Sequence, residues 1–564
     1  MFELRNARGA WIAVVACLLA ASAAANDAQT PPHAGIASAN ALATDAGHQI
    51  LADGGNAFDA AVAVAAVLGV VEPESSGFGG GGFFLLRRAS DGKTVMVDAR
   101  ERAPMAATRD MYLDESGVVV RERSINGPLA AAIPGQPAGL VHLAQNYGKL
   151  PLAQSLAPAI RLASEGFPLG RKNHTLMGFR AKTLVESPAA AEVLLRDGNR
   201  PEMGTLIVQP DLARTLQAMA DHGKDGFYDG AVAKTLVAGV RDAGGIWTES
   251  DLTDYRVVER APMVTQYQDY QVITAPPPSS GGVALATIFN ILNGFEYDSL
   301  SAVKQNHLLT EAMRRAYRDR AIYLGDPDYV QVPTEMLLHP HYAAGLRASI
   351  RLDRATPSDS LPGIEAEPAG TDTTHFSIID ADGNLVAATL SVNLPYGSAF
   401  MAPGTGVLLN NEMDDFSAKA GTPNAYGLVG EDANAVGPGK RPLSSMTPTF
   451  LVGPDRTIVI GTPGGSRIIT MVLLGSLELI AGGSALDAVS RPRIHHQYLP
   501  DVLSVERDAL DAEAIAALTE MGHTVAPLER TWGNMHVVVW DHTENQLDAA
   551  SDPRWGDVSK AEVK

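Results

Sequence analysis

The pattern of apolar and polar positions divides the chain into a helix-rich first part and a second part rich in strands. Residues 36–70 are rich in alanine and are predicted to form two helices, broken at Gly54-Gly55, with Asn56 as the N-cap of the second. The stretch 135–325 has mostly the pattern of amphipathic helix, and Arg320 falls on an apolar helical face within it. The first part of the chain therefore supplies most of the predicted helices.

Strand signals begin in a glycine-rich stretch and dominate after residue 373. A short apolar strand follows the glycines of SSGFGGGGF, and Asp91-Gly92 predicts that it forms a hairpin with TVMVDAR. Further strands are predicted at 374–380, 385–392, 407–411, 448–453, 457–462 and 535–540, with helices at 468–482 and 511–522 among them. Helices that flank long sheet segments predict a layered α+β architecture.

A loop leads directly into one of these strands. Residues 352–372 contain three prolines and no periodicity, so they are predicted to form an exposed loop. Asp382-Gly383 is a strong turn signal, and a tight hairpin around it places Thr373 opposite residue 391 or 392. Cross-strand neighbours have Cβ atoms about 4.5–5.5 Å apart, so Ser391 is predicted to hold a hydroxyl beside Thr373.

Charge and cysteine content exclude several classes of function. The chain has 564 residues, a 46% apolar composition and a formal charge of −20, so its surface repels nucleic-acid phosphates. Its single cysteine, Cys17, lies in the N-terminal segment. The rest of the chain therefore has no disulfide, no thiol nucleophile and no thiolate metal site.

The N-terminus has the pattern of a secretory signal. Two arginines precede an apolar core at 10–21, and three alanines then supply a small-residue cleavage site, with cleavage expected before Asn26. Processing as a lipoprotein at Cys17 is the weaker alternative. No later run is long and apolar enough to span a bilayer, so export without a membrane anchor is predicted.

The motif TDTTHFS at 371–377 places two hydroxyls and an imidazole where the loop meets the strand. Threonine and serine are common in strands, so the motif alone identifies no function. A threonine becomes an effective nucleophile when it is N-terminal and its α-amine, with an ordinary pKa of about 7.7–8.0, serves as the base. Thr373 acquires that amine only if the Asp372–Thr373 bond is cut.

Three later stretches carry further groups that amide chemistry needs. NNEMDDFS at 410–417 gathers three acidic side chains, of which Asp414 is interpreted as a brace for its own loop. RPLSSMTP at 441–448 offers two adjacent hydroxyls. GTPGGSR at 461–467 offers adjacent backbone N–H groups, which predict an oxyanion hole.

Taken together, these motifs resemble those of the γ-glutamyltranspeptidase family, which belongs to the N-terminal-nucleophile hydrolases. The resemblance rests on stretches that occur in family order from about residue 36 to 555: SSGFGGGGF, VDARERAP, PPPSSGG, TTHFSIID, LLNNEMDDF, YGLVGEDANAVGPGKRPLSSMTPT, GTPGGSRIIT and PRIHHQYLPD. It implies a four-layer αββα sandwich, made as one precursor that cuts itself. The implied pieces are a signal peptide at 1–25, a large subunit at 26–372 and a small subunit at 373–564.

The resemblance also assigns catalytic roles. Thr373 is the nucleophile, and the cleavage site is the bond between Asp372 and Thr373. Ser391 is the helper hydroxyl, at a position where many relatives have threonine. The backbone N–H groups of Gly464 and Gly465 stabilise the oxyanion.

A second set of residues is assigned to the zwitterionic γ-glutamyl group. Its α-carboxylate is expected to bind Arg100, whose planar guanidinium matches a carboxylate, with help from Ser444 and Ser445. Its α-ammonium is expected to bind Asp415, Glu412 and Asn393. Relatives have glutamine at the position of Glu412, but both side chains are acceptors. Tyr426 matches a lid over the pocket.

The implied reaction is γ-glutamyl transfer from glutathione and similar amides, through an ester on Thr373, to water or to an amino acid or peptide acceptor. The resemblance implies no cofactor and no metal. The expected partners are these small molecules and the chain's own two fragments, as a heterodimer. The periplasm is the expected location by family analogy, and full secretion stays open.

Three other functions compete with this interpretation. A glutaryl or cephalosporin acylase of the same fold would act on substrates without an α-ammonium, which the acidic Asp415 and Glu412 argue against. A poly-γ-glutamate depolymerase would need an open groove, and the Tyr426 loop argues for a closed one. A secreted binding protein on an inactive scaffold would have lost Thr373 or the glycine pair.

Three further signals are interpreted as structural. The glycines of GFGGGG at 77–82 lack the Lys-Ser/Thr of a phosphate loop, so they indicate close backbone packing. His495-His496 has no matching metal-ligand spacing. His375 is expected to pack or hydrogen-bond, because the α-amine already supplies a base.

Overall fold

Strands from both parts of the chain build two central sheets. The computed structural model describes residues 29–361 and 373–564. Its strands are β1 (Gly35–Ser38), β2 (Gly81–Arg87), β3 (Thr94–Ala99), β4 (Phe167–Pro168), β5 (Leu206–Ile207), β6 (Val258–Arg260), β7 (Met263–Tyr267), β8 (Tyr270–Thr274), β9 (Thr374–Ile379), β10 (Leu385–Ser391), β11 (Thr449–Val452), β12 (Arg456–Gly461), β13 (Ile494–His495), β14 (Leu503–Glu506), β15 (Val525–Leu528), β16 (His536–Asp541), β17 (Gln546–Ser551) and β18 (Lys560–Val563).

The α-helices lie mainly in the first part of the chain, as predicted. They are α1 (Ala41–Ala52), α2 (Ala57–Val71), α3 (Glu122–Ile125), α4 (Gln136–Asn146), α5 (Leu152–Glu165), α6 (Arg171–Leu184), α7 (Pro188–Leu194), α8 (Pro210–His222), α9 (Asp225–Tyr228), α10 (Gly230–Asp242), α11 (Glu249–Thr253), α12 (Gly281–Leu292), α13 (Ala302–Tyr323), α14 (Thr334–Leu338), α15 (Pro340–Ala348), α16 (Ile468–Ile480), α17 (Ala485–Ser490) and α18 (Ala512–Glu520).

The two large sheets pack face to face, and helices cover their outer faces. A seven-stranded sheet has the order β18-β1-β9-β10-β2-β3-β6, and a six-stranded sheet has the order β17-β16-β12-β11-β8-β7. Alternate residues of β2 face opposite ways: Phe84 and Leu86 pack with α1, α2 and α4, whereas Phe83 and Leu85 pack toward the other sheet. Helices α12 and α16 pack on the six-stranded sheet, and α13 packs against α12. This arrangement confirms the predicted αββα sandwich.

The start of α2 shows how local sequence sets an element boundary. Asn56 caps this helix, because its side-chain oxygen accepts hydrogen bonds from the backbone N–H groups of Phe58 at 2.9 Å and Asp59 at 3.1 Å. The carboxylate of Asp59 in turn accepts from the N–H of Asn56 at 3.0 Å. The predicted break between the two alanine-rich helices is therefore confirmed, with Asn56 as the N-cap.

The hairpin of β9 and β10 lies at the centre of the seven-stranded sheet. Ile379 pairs with Leu385 and Thr374 pairs with Leu390, and the chain reverses at Asp382-Gly383. Continuing this register by one residue sets Thr373 opposite Ser391. The pairing predicted from the turn is confirmed.

Some local predictions were wrong. Residues 407–411 do not form a strand, because only Leu408 and Leu409 make isolated bridges. The side-chain amide of Asn410 bonds the carbonyls of Gly79 at 2.6 Å and Ala132 at 2.7 Å. The stretch 135–325 is mostly helical, as predicted, but five short strands, β4 to β8, interrupt it. Of the predicted loop, the described residues 352–361 include a short 3₁₀ turn at Ser358–Ser360 that contacts Asp501.

Two predictions fall on residues that the structure does not describe. The proposed signal at 1–25 and the rest of the predicted loop, including Asp372, lie outside the described residues. In the described parts of the chain, no helix combines the length and apolar character that crossing a bilayer requires.

Candidate active site

A small cleft opens at the end of the β9–β10 hairpin opposite its turn. It brings together most of the residues that the sequence singled out. Its lining consists of Arg100, Thr373, Ser391, Asn393, Asp415, Tyr426, Leu428, Ser444, Ser445, Met446, Gly465 and Ile468. Glu412 is fully buried behind this lining, and Gly464 precedes the lining glycine.

Two hydroxyls meet at the base of the cleft. Thr373 Oγ1 lies 3.4 Å from Ser391 Oγ, and Ser391 Oγ accepts a hydrogen bond from the N–H of Asn393 at 2.8 Å. That acceptance leaves the Ser391 proton able to point at Thr373. An added Cβ on Gly80 would lie 2.1 Å from the carbonyl oxygen of Ser391, so the glycine run lets backbone approach the hydroxyl pair closely.

A buried ion pair holds the residue that follows Thr373. Thr374 Oγ1 donates to the Glu72 carboxylate at 2.9 Å, and Lys172 Nζ binds the same carboxylate at 3.2 Å. All three side chains are almost fully buried. This bond fixes the position of Thr374, which is the first residue of β9 and directly follows Thr373.

The side chain of Arg100 is surrounded by three carboxylates. Its guanidinium lies 2.5 Å from Asp415, 3.0 Å from Glu412 and 3.3 Å from Glu101, and we call these three acidic residues the carboxylate cluster. Arg100, Glu101 and Glu412 are essentially inaccessible to solvent, and Asp415 is 12% exposed. One cation therefore faces three acidic groups.

Burial and this imbalance shift the pKa values of Glu101, Glu412 and Arg100. Burial raises the pKa of Glu101 to about 7, although Arg100 acts in the opposite direction. Burial likewise raises the pKa of Glu412 well above its ordinary value, with Arg100 opposing it and the other carboxylates adding to the rise. Burial alone would lower the pKa of Arg100, but the carboxylates outweigh it and raise that pKa. Glu101 and Glu412 therefore hold protons more readily near neutral pH than ordinary carboxyl groups do.

The two adjacent serines lie on a segment supported by PPPSSGG. Backbone bonds join Ser444 to Pro278 and to Ser280, each at 2.8 Å, and Arg100 Nε donates to the carbonyl of Pro442 at 3.2 Å. Behind Ser445 lies Arg320, whose guanidinium is 3.5 Å from the Ser445 hydroxyl. Burial lowers the pKa of Arg320 to about 10. The sequence pattern placed Arg320 on an apolar helical face. A cation at such a position was the signal that could have identified Arg320 as a residue near the site.

The glycine pair and Tyr426 meet on the opposite wall. Gly464 has a φ of 144° and Gly465 a φ of 56°, which favour glycine. An added Cβ on Gly465 would lie 2.3 Å from a ring carbon of Tyr426. The Tyr426 hydroxyl donates to the carbonyl of Asn393 at 2.6 Å. The aromatic ring therefore spans the cleft from the glycine pair to the end of β10.

Asp414 anchors the stretch that carries Tyr426, residues 423–438, which we call the lid loop. Its carboxylate accepts from the N–H of Ala425 at 2.8 Å and from the Ser124 hydroxyl at 2.7 Å. Burial raises the pKa of Asp414 to about 6 despite these donors. Asp414 was expected to brace its own loop, but these two bonds reach the lid loop and Ser124 instead.

The histidines that drew attention in the sequence all have protein partners. His375 lies between the sheets and bonds Thr389 at 2.8 Å and Ser377 at 3.1 Å. His496 lies 3.0 Å from the Asp501 carboxylate.

One group of potential metal ligands occurs in the described residues, formed by His307, Glu311 and His523. The two imidazoles bond each other at 2.7 Å, and the Glu311 carboxylate is paired with Arg314 and Arg315. The donor atoms are already engaged, so we assign no metal to this group.

Known proteins are similar to this chain in sequence and in fold. The sequence matches the family described as gamma-glutamyltranspeptidase over residues 43–561. This chain belongs to the γ-glutamyltranspeptidase family. It is 44% identical over 497 residues to the glutathione hydrolase proenzyme of Pseudomonas sp. (strain A14), which covers 87% of this chain and 86% of that protein. It is 41% identical over 525 residues to the glutathione hydrolase proenzyme of Escherichia coli (strain K12), covering 92% of this chain and 90% of the relative.

A solved structure gives the same result for the fold. The crystal structure of cephalosporin acylase from Bacillus halodurans superposes with a TM-score of 0.83 at 29% identity, covering 95% of this chain and 96% of that one. Membership of the γ-glutamyltranspeptidase family makes this chain an enzyme of the N-terminal-nucleophile type and confirms the resemblance seen in the motifs. Because the acylase has the same fold, acylase activity remains an alternative to γ-glutamyl transfer.

Proposed function

We propose that this chain is a proenzyme that cuts itself between Asp372 and Thr373 and then transfers γ-glutamyl groups from glutathione and related amides to water or to amine acceptors. The observation that carries the proposal is the content of one cleft. The Thr373–Ser391 hydroxyl pair, the Arg100 guanidinium and the Asp415 carboxylate all line it. A nucleophile beside one cation and one anion fits an amide whose head group is a zwitterion.

The proposed first half-reaction forms an ester. Thr373 Oγ attacks the γ-carbonyl carbon while the α-amine of the cleaved chain takes the hydroxyl proton. The carbonyl oxygen becomes an oxyanion that the N–H groups of Gly464 and Gly465 stabilise, typically by a few kcal/mol for each donor. The C–N bond then breaks, and the departing amine receives the proton from the α-amine.

The second half-reaction releases the γ-glutamyl group. Water or an acceptor amine attacks the ester carbonyl, again losing a proton to the α-amine, and the Thr373–acyl bond breaks as Oγ takes a proton back. Arg100, Ser444 and Ser445 would bind the substrate's α-carboxylate, and Asp415, Glu412 and Asn393 its α-ammonium. Because an acyl-enzyme separates the two halves, ping-pong kinetics are expected with an added acceptor.

Processing and location belong to the same proposal. After cleavage, residues 26–372 and 373–564 would stay together as a heterodimer, since β9 and β10 of the small fragment pair with β1 and β2 of the large one. Purified protein should give two bands on a denaturing gel, with Thr373 as the N-terminus of the smaller. A single full-length band after long incubation would contradict the cut. The signal-like N-terminus supports export, and analogy with the family favours the periplasm over full secretion.

Comparison of two anilides tests the substrate class. The γ-glutamyl anilide carries the α-ammonium that a glutaryl anilide lacks, so wild-type enzyme should prefer it strongly. In Asp415→Asn the ratio of kcat/KM values for the two should fall about 10-fold to 100-fold, the usual range for a lost charged contact. Asp432→Asn, at an 83% exposed carboxylate of the lid loop, is the matched control and should keep the wild-type ratio. Equal rates on both anilides with wild type would favour the acylase alternative.

The raised pKa values of Glu101 and Glu412 predict a pH-dependent KM. A bound ammonium favours ionised carboxylates, so substrate binding should expel protons that Glu412 and Glu101 hold near neutral pH. KM for the γ-glutamyl anilide should therefore fall as pH rises from 6 to 8, by at most about tenfold per pH unit for each proton released. Glu412→Gln keeps an acceptor but cannot titrate, so its KM should vary less. An unchanged slope in Glu412→Gln would show that Glu412 does not titrate on binding.

A further inference from the structure

Gln497 connects two parts of the cleft that are far apart in the chain. It belongs to PRIHHQYLPD, a stretch to which the proposed reaction gives no role. Its side-chain nitrogen donates to the carbonyl of Tyr426 in the lid loop, and its side-chain oxygen accepts from the hydroxyl of Ser466, the residue after the glycine pair. One amide therefore touches both the lid loop and the oxyanion turn.

The orientation of this amide is fixed by its neighbours. Nε2 of Gln497 lies 3.3 Å from the carbonyl oxygens of both Tyr426 and Leu499, and carbonyls can only accept hydrogen bonds. The opposite orientation would set an oxygen against two oxygens. Oε1 must therefore face the other way, where the Ser466 hydroxyl lies at 2.7 Å and His495 Nε2 at 2.9 Å.

The same constraint fixes His495. Since Oε1 of Gln497 only accepts, His495 Nε2 carries the proton, and Nδ1 faces the Thr470 hydroxyl at 2.9 Å. Burial lowers the pKa of His495 well below its ordinary value, with nearby Arg467 acting in the same direction, so the ring is neutral. Hydrogen bonds therefore connect Thr470 of α16 to His495 and His495 to Gln497.

Tyr426 is consequently held at both ends. Its hydroxyl bonds the carbonyl of Asn393, and its own carbonyl bonds Gln497. Between these points its ring lies against Gly465. Without the bond to Gln497, the backbone of Tyr426 would be free to move, and with it the ring that covers the glycine pair.

We propose that Gln497 is a positioning residue that holds Tyr426 against the oxyanion glycines and so controls how much water reaches the acyl-enzyme. The proposal rests on the proposed function, because it assumes an ester that water and an amine acceptor compete to open. Gln497 touches neither substrate nor Thr373 in this scheme. It acts through the lid loop, whose closure limits hydrolysis relative to transfer.

Gln497→Glu separates the two contacts. One carboxylate oxygen still accepts from Ser466 and His495, while the other now faces the carbonyls of Tyr426 and Leu499 and repels them. At pH 8.5, with glycylglycine as acceptor, the ratio of transfer to hydrolysis should fall about threefold or more, and kcat/KM should fall about tenfold. At pH 6 the introduced carboxyl can take up a proton and donate again, so both defects should shrink.

Gln209→Glu supplies a matched control. Gln209 is a buried glutamine that does not line the cleft, and its amide also donates to a carbonyl, that of Val70 at 2.8 Å. The Gln209→Glu variant should be less stable than wild type but should keep the wild-type ratio of transfer to hydrolysis. A wild-type ratio in Gln497→Glu, with a loss of stability like that of Gln209→Glu, would overturn the proposal and leave Gln497 a merely structural role.

Hydrogen–deuterium exchange gives a readout that does not depend on turnover. Amides of the lid loop should exchange faster in Gln497→Glu than in wild type, and Gln209→Glu should leave them unchanged. Unchanged lid-loop exchange in Gln497→Glu would also overturn the proposal. If wild type cleaves no γ-glutamyl anilide, the proposed function fails, and the exchange result still decides whether Gln497 holds the lid loop.

Discussion

Thr373→Ala should remain a single chain and should release no γ-glutamyl product above background. Without the hydroxyl, nothing attacks the preceding peptide bond, so the α-amine that would serve as base is never exposed. The substitution removes nucleophile and base together, and we expect a loss of at least about 10⁴-fold in kcat, as for other nucleophile deletions. A denaturing gel after long incubation and an anilide assay measure the two effects.

Two variants separate the nucleophile from its surroundings. Thr373→Ser keeps a hydroxyl 3.4 Å or so from Ser391 Oγ and should be cut slowly and keep partial activity. Thr374→Val keeps the shape of its side chain but loses the 2.9 Å bond to Glu72, so it should be cut at the correct bond with reduced kcat. Intact mass of the small fragment identifies the cut. A normally cut Thr373→Ala would assign the cleavage to another group.

The hairpin at the centre of the site could be predicted because its information is local. Asp382-Gly383 sets the turn, the turn sets the register, and the register brings Ser391 to Thr373. The motifs then supplied the rest of the lining through the family resemblance. Strand β6 was missed because its partner β3 lies in a remote part of the chain, as does Gly79, the bridge partner of Leu409. Strands β7 and β8 pair with each other across a short turn, so their signal was local and was hidden within a stretch of helical pattern.

The sequence could not show which buried charged side chains contact one another. The motifs named Arg100, Asp415 and Glu412 as separate binders of opposite ends of a substrate. In the structure they are in contact, and Glu101, which no motif singled out, joins them at 3.3 Å from Arg100. Such proximity depends on the packing of the 3₁₀ turn at Glu412–Asp415 against the end of β3, which no local pattern encodes.

Arg100→Met should abolish useful activity and destabilise the protein most at high pH. The substrate's α-carboxylate loses its cation, for which we expect at least about a 100-fold loss in kcat/KM. The carboxylate cluster also loses its compensating charge, a change that costs about 3–5 kcal/mol for buried pairs. Anilide kinetics measure the first effect. The apparent melting temperature at pH 6 and at pH 8.5 measures the second.

The sign of the pH effect follows from the direction of the pKa shifts. A carboxyl whose pKa is higher in the folded state than in the unfolded state destabilises the fold as pH rises between the two values. Glu101 already has a folded pKa of about 7, and removing Arg100 must raise it further. The melting-temperature deficit of Arg100→Met relative to wild type should therefore be larger at pH 8.5 than at pH 6. A deficit that is the same at both would indicate lost packing rather than uncompensated charge.

Adding Glu412→Gln to Arg100→Met separates stability from binding. The second substitution removes one of the buried acids that Arg100 compensated, so the double variant should regain part of the lost melting temperature at pH 8.5. It should regain no activity, because neither side chain can bind the substrate's α-carboxylate. Arg100→Lys is the complementary control: it keeps the charge and should keep most of the stability, but its ammonium cannot match a carboxylate bidentately, so kcat/KM should stay low. Recovery of activity in the double variant would mean that Arg100 only compensates the charge of the carboxylate cluster. Another cation would then bind the substrate's α-carboxylate, and Arg320, beside Ser445, is the candidate.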